Sequence, residues 1–177
     1  MILQPDDYDF GKSSNYSFAN DLTCKNDETR KMFVLAYGHM LNYNHEEAIS
    51  CFQKCTELDP DCAMAWWGIA YCLSSNYNWT PGLGSGHDPI QQAVSLVNNV
   101  TELERDLINA LAKRHSEEAR DAADPSVLNM GNSPELNIAF ADAMAPLYEK
   151  YEGNLDVTAI YVEALMNLKA WQLWDKN

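Results

Sequence analysis

From Asn26 onward apolar side chains recur at helical spacing, and no segment alternates with the period of two that a half-buried strand needs. Asn26 or Asp27 can cap a first helix carrying Met32, Leu35, Ala36, His39 and Met40, with Asp27 and Glu28 at its positive end. Asn42-Tyr43-Asn44 closes it. A second helix, about His45 to Leu58, places Ala48, Ile49, Phe52 and Cys55 on one face, and Asp59-Pro60-Asp61 ends it. The third, about Cys62 to Ser74, is nearly all apolar, the pattern of a helix buried on several sides. A Gly/Pro/Asn/Ser stretch at 75–88 predicts a long loop. Helix four starts near Asp88-Pro89 and carries Ala93, Leu96, Val97 and Val100. Helix five runs from Thr101 to about His115, where Thr101 and Glu104 spell a capping box. Beyond a polar connection at 116–133, Ser133-Pro134 opens helix six, which Pro146 is expected to kink or shorten. Gly153-Asn154 breaks the chain before helix seven, about Asp156 to Leu168. The expectation is an all-α fold of about seven helices. A polar, extended or mobile lead-in at 1–22 precedes one helical domain at 23–177.

A repeat underlies this pattern. Met32, Leu35, Ala36 and His39 return 34 positions later as Trp66, Ile69, Ala70 and Leu73. Each set reads large, large, small, large, which suits a helix whose small residue lets a neighbour come close. The helix after the first set adds Ala48, Phe52, Cys55 and Pro60. This spacing resembles the tetratricopeptide repeat, a helix–turn–helix unit of about 34 residues. HEEAISCF, ELDPDCAMAWWGIAYCLSSNYN and EALMNLKAWQLW resemble stretches of a group of longer tetratricopeptide proteins, over roughly Thr29 to Trp174. The resemblance implies a right-handed stack of antiparallel helix pairs. Thr29 to about Cys62 matches one unit best, helices five and six form a looser third, and helix seven looks like the first half of a fourth. In that group the chain continues beyond the Trp-x-x-Trp segment, here Trp171 and Trp174. This chain is therefore expected to be a piece of such a protein, or a short member needing another cap.

In such repeats one layer of helices lines a concave, peptide-binding groove. Helical geometry puts Arg30, Phe33, Tyr37 and Met40 of helix one on that face, and Met64, Trp67, Tyr71 and Ser74 of helix three in register with them. Aromatics and Met supply much of the energy at binding hot spots. This surface is the expected partner site, with Trp79 and His87 of the long loop as a lid. The other reading is that the same rings pack on the N-terminal segment or on later helices. The carboxylate clamp of chaperone-binding tetratricopeptide domains uses Lys and Asn here. Those places look aromatic in this chain, and no Lys or Arg occurs between Lys54 and Arg105.

Charge then narrows the partner. Of 177 residues, 26 are acidic and 12 basic, a formal net charge of −14. That balance argues against nucleic acid and against anionic membranes. It favours a protein or peptide segment with apolar anchors flanked by Lys or Arg. An apolar fraction of 46% with five Trp argues against disorder. The opening MILQPDDYDFGKSSNYSF has three acids within nine residues and no apolar run, so no signal peptide is expected there, and the uncharged stretch between Asp61 and Asp88 is too broken by Pro and Gly to span a bilayer. Cys24, Cys51, Cys55, Cys62 and Cys72 lack framework spacing, which predicts reduced thiols and a cytoplasmic location.

Candidate chemistry is sparse. Cys51 and Cys55, with His39 and His45 nearby in sequence, lack the paired spacing of a metal site, so no metal is expected. Thr80 to His87 is glycine-rich but lacks the Lys-Ser/Thr of a phosphate loop, and no cofactor is expected. His45, Glu46 and Glu47 stand at the opposite end of their helix from Asp59 and Asp61. They serve as dipole complements and caps, not as a converging acid–base set. The resulting expectation is a non-catalytic interaction scaffold. One alternative is an enzyme, metal-binding or small-molecule-binding protein using a pocket near Trp67, Tyr71, Trp79 and His87; another is an assembly subunit, self-associating through its Trp171/Trp174 end.

Overall fold

The computed structural model describes residues 21–78, 83–115, 134–172 and 174. All regular secondary structure among them is helical. Seven α-helices occur there: α1 (Asp27–Leu41), α2 (His45–Leu58), α3 (Ala63–Leu73), α4 (His87–Ser95), α5 (Glu102–Ala112), α6 (Pro134–Lys150) and α7 (Leu155–Asn167). A short 3-10 turn at Val97–Asn99 joins α4 to α5. The chain is all-α. Most of the expected lead-in, part of the long loop and the whole 116–133 connection lie outside the described residues.

Local signals account for the helix ends. The Asn26 side chain caps α1 by accepting from the Thr29 N–H at 2.9 Å. Thr101 and Glu104 form the reciprocal capping box at the start of α5. Asn154 caps α7, accepting from the Val157 N–H at 3.0 Å. Pro146 neither breaks nor shortens α6, which runs unbroken for 17 residues. Both Pro146 and Asp142, whose carbonyl loses its N–H donor, are exposed, so water can serve that carbonyl.

Consecutive helices pack on one another from α1 through α7, and α1–α3 and α3–α5 also touch. The short turn between α1 and α2 makes that pair antiparallel. Ala36, Ala48 and Ala70 are fully buried, as their small size at helix contacts requires. Gly68 of α3 lies directly under the Phe52 ring of α2, where a Cβ would meet ring carbons at 2.5 Å.

The N-terminal segment is strapped to this core. Leu22, expected to end a mobile lead-in, is buried. Thr23 donates to the Glu104 carboxylate from its N–H at 2.8 Å and its hydroxyl at 2.6 Å. Glu104 also accepts from the N–H and hydroxyl of Thr101. The Lys25 N–H donates to buried Asp59 at 2.7 Å, and its ammonium pairs with Asp61 at 2.6 Å.

Candidate functional site

The expected groove is filled. Phe33, Tyr37, Met40, Met64, Trp67 and Tyr71 are all buried, so the aromatic face of α1 and α3 is core, not an open channel. Later helices of the same chain cover it. Trp67 Nε1 donates to the Leu107 carbonyl of α5 at 3.2 Å. The Tyr71 hydroxyl donates to Glu163 of α7 at 2.6 Å, and its ring meets Phe140 of α6 edge-on at 6.4 Å. Phe33 stacks on Tyr37 at 6.0 Å, and Trp67 tilts on Tyr71 at 5.2 Å. Arg30 is half-buried and Ser74 is buried. Of the expected lid, His87 is buried at the start of α4, its Nδ1 3.0 Å from the Asp88 carboxylate. Trp79 lies outside the described residues.

The same helices gather a buried polar layer. Arg114, just past α5, donates from Nε to Asn137 Oδ1 at 2.9 Å and from Nη2 to the Ser75 carbonyl at 2.7 Å. Its guanidinium lies 5.5 Å from the centroid of the Phe140 ring. Burial raises the Glu163 carboxyl above its ordinary pKa, against the pull of Tyr71, Arg114 and Asn167. Glu163 Oε1 and both amide atoms of Asn167 are buried without a well-formed hydrogen bond among the described residues.

Two histidines complete this layer in neutral form. Asn76 Nδ2 lies 3.2 Å from His45 Nδ1, while Asn76 Oδ1 accepts from the Asn78 N–H. This assigns the His45 proton to Nε2. Burial lowers the His45 pKa, and it lowers that of His115 to about 3, with Arg114 and His87 adding to the effect. His115 Nε2 lies 3.1 Å from Ser74 Oγ, which itself donates to the Ala70 carbonyl.

These groups join α3, α5, α6 and α7. The thiols are quiet: burial pushes Cys62 up to about 12 and Cys72 well above its ordinary value. Among the described residues no three His, Cys, Asp or Glu side chains converge to hold a metal ion. No helix there is long and apolar enough to cross a membrane. Sequence reasoning passed over Arg114, Glu163 and Asn167. The available signal was that Glu163 and Asn167 share the α7 stripe of Ile160 and Ala164.

The accessible surface is distinctive at the C-terminal helices. Ile138, Tyr148, Leu155, Val162, Leu165, Leu168, Trp171 and Trp174 are large apolar residues left exposed there. α7 is apolar on both sides, with Val157, Ile160 and Ala164 in the core. Its carboxylates, Asp156 and Glu163, are only 2% and 9% exposed, while Leu155, Val162 and Leu165 are 66%, 47% and 43% exposed. Tyr148 and Tyr161 tilt together at 5.4 Å beside this face. Past α7 the backbone enters the left-handed region at Trp171, φ 63°, and the indole stacks on Tyr77 at 5.3 Å.

Comparison with protein-family models, curated proteins and solved structures finds no match to this chain.

Proposed function

We propose that this protein is a non-catalytic helical interaction module whose docking surface is the outward face of α7. The observation that carries the reading is the second, exposed apolar face of that helix. A surface helix keeps a polar face on the side away from the core. An exposed apolar surface of the opposite kind marks an interaction site. The recurring large-large-small-large motif and the contacts of α1 with α3 and of α3 with α5 support a stack of repeated helix pairs.

The occupant is a polypeptide segment with apolar anchors flanked by Lys or Arg. Exposed Glu149 and Glu152 border the face at the α6–α7 turn, and a net charge of −14 attracts a basic chain while repelling a second copy. A displayed peptide library selected on the wild-type chain tests this. Selected peptides carry such anchors and flanks, and Val162→Glu, at an exposed position, weakens them by about 30-fold or more, the effect of losing a hot spot. Peptides that bind the variant as tightly as the wild type would place the docking surface elsewhere.

A further inference from the structure

A cavity of about 420 Å³ opens where the start of α6 meets the end of α7. Asn137 and Ile138 line it from α6, and Asn167, Leu168, Lys169 and Gln172 from the end of α7 and the turns after it. Leu155, Val162 and Leu165 do not line it, so it stands apart from the docking face of α7. Asn167 is 9% exposed, and both its amide atoms are buried without a hydrogen-bond partner among the described residues. It lies one turn beyond Glu163 on the same side of α7, yet closes no well-formed bond with it. Native structures rarely leave a buried carboxamide unpaired. Asn137, by contrast, is fixed, its Oδ1 accepting from Arg114 Nε at 2.9 Å.

We propose that this cavity binds a small monocarboxylate with an apolar stem. The N-terminal end of α6 and the C-terminal end of α7 meet here, so their dipoles oppose each other and the side chains set the sign. Lys169 is the one charged side chain lining the cavity among the described residues, in a chain where acidic residues outnumber basic ones 26 to 12. One ammonium matches one carboxylate, whereas a phosphate dianion would be left half-neutralised. The head accepts from Lys169 Nζ and from an amide N–H of Asn167, which gives that side chain the partner it lacks. The stem lies against exposed Ile138 and Leu168 and takes them out of water. An amine would meet Lys169 with like charge, and a wholly apolar ligand would leave Asn167 unpaired. The net charge of −14 opposes any anion, but screening confines that to about 8 Å at physiological salt, so binding is weak, in the millimolar range.

Sodium hexanoate, titrated into the isotope-labelled full chain at constant ionic strength, tests this, with hexanamide, hexylamine and inorganic phosphate as comparison ligands. Backbone resonances of Asn137, Ile138, Asn167 and Lys169 are expected to shift and saturate, while those of Leu155 and Val162 stay where they are. Hexanamide, which keeps the stem and loses the charge, binds about tenfold more weakly. Hexylamine and phosphate do not saturate. Asn167→Leu, which fills a similar space without polar atoms, weakens hexanoate by about tenfold or more, the loss of one hydrogen bond to a charged group. Lys169→Glu, at an exposed position, weakens it by about tenfold, one attraction lost and one repulsion gained.

Hexanoate that fails to saturate, or that moves resonances elsewhere in the chain, overturns the inference; water then serves the Asn167 amide. Hexanamide, hexylamine or phosphate binding as tightly as hexanoate overturns it too, as does either variant that keeps the wild-type affinity. Where Asn167→Leu fails to fold, Lys169→Glu decides alone, since it leaves the core untouched. Val162→Glu, which breaks the docking face, should leave hexanoate binding as it was, so the two readings fail separately.

Discussion

Replacing Gly68 with alanine tests the closest approach in the core. The added methyl would lie 2.5–2.6 Å from three carbons of the Phe52 ring. Carbon atoms in contact rest about 3.5–4.0 Å apart, so the ring must retreat by about 1 Å. It has little room: Phe52 is fully buried and meets Phe33 edge-on at 5.4 Å. Overpacking of this kind costs about 1–3 kcal/mol. Against it stands the gain of about 1 kcal/mol when Gly becomes Ala inside a helix. Because three ring atoms are crowded at once, the cost falls in the upper half of its range, and the net loss is about 1–2 kcal/mol. For a chain of this size that lowers Tm by about 2–8 °C. Thermal melts by circular dichroism, with urea titration for the free energy, make the measurement. In a Phe52→Leu background the same change should be neutral or stabilising, a coupling of about 1 kcal/mol or more between the two sites. If Gly68→Ala alone raises Tm, as helix propensity by itself demands, the close approach of α2 to α3 is wrong.

Two further outcomes follow from the buried polar layer and a third from the thiols. Arg114→Met strips Asn137 and Ser75 of a donor and Glu163 of its nearby cation; it should cost about 3–5 kcal/mol, and an unchanged urea midpoint would refute the role given to the guanidinium. His115 keeps a pKa of about 3 when folded, against 6.5 for a free histidine. The unfolded chain therefore binds the extra proton in that window, and stability falls as pH drops from 6.5 toward 3, by at most about 1.4 kcal/mol per pH unit. His115→Asn should flatten the slope, with buried His45 adding to it in the same direction and Glu163, whose pKa is raised, opposing it; an unaltered slope would show that His115 is not the group responsible. At pH 8 the half-buried Cys24 should react first with a thiol reagent, while Cys55, Cys62 and Cys72 wait for unfolding. Early labelling of Cys72 would contradict the packing of α3.

Helix limits were legible because their signals are local. Asn26 bonds three residues ahead, and the Thr101–Glu104 box closes within one turn. The small residues at helix contacts were legible too, since Ala36 and Ala70 break an otherwise bulky stripe. Which face of α3 meets solvent was not legible, because that helix is apolar all round and periodicity cannot choose among equivalent faces. The choice is made by Leu107 and Glu163, 40 and 92 residues away along the chain, which take the polar atoms of Trp67 and Tyr71. Tyr71, with Arg114 nearby, draws Glu163 inward, against the usual preference of a carboxylate for water. That places the candidate surface on α7, a helix whose sequence read only as the first half of a further repeat.

The bonds between Thr23 and Glu104 also decide how the chain would carry a load. Tension applied from its N-terminal side reaches Thr23 and passes through the Glu104 carboxylate to the first turn of α5. While that clasp is shut, α1 to α4 form a slack loop off the line of force. Glu104 is also the capping partner of Thr101, so the pull that opens the clasp strips the start of α5 at the same moment. Under force the molecule would not peel from its first helix. It would hold, yield at the clasp, and let out the chain between Thr23 and Glu104, 81 positions apart, as a single length.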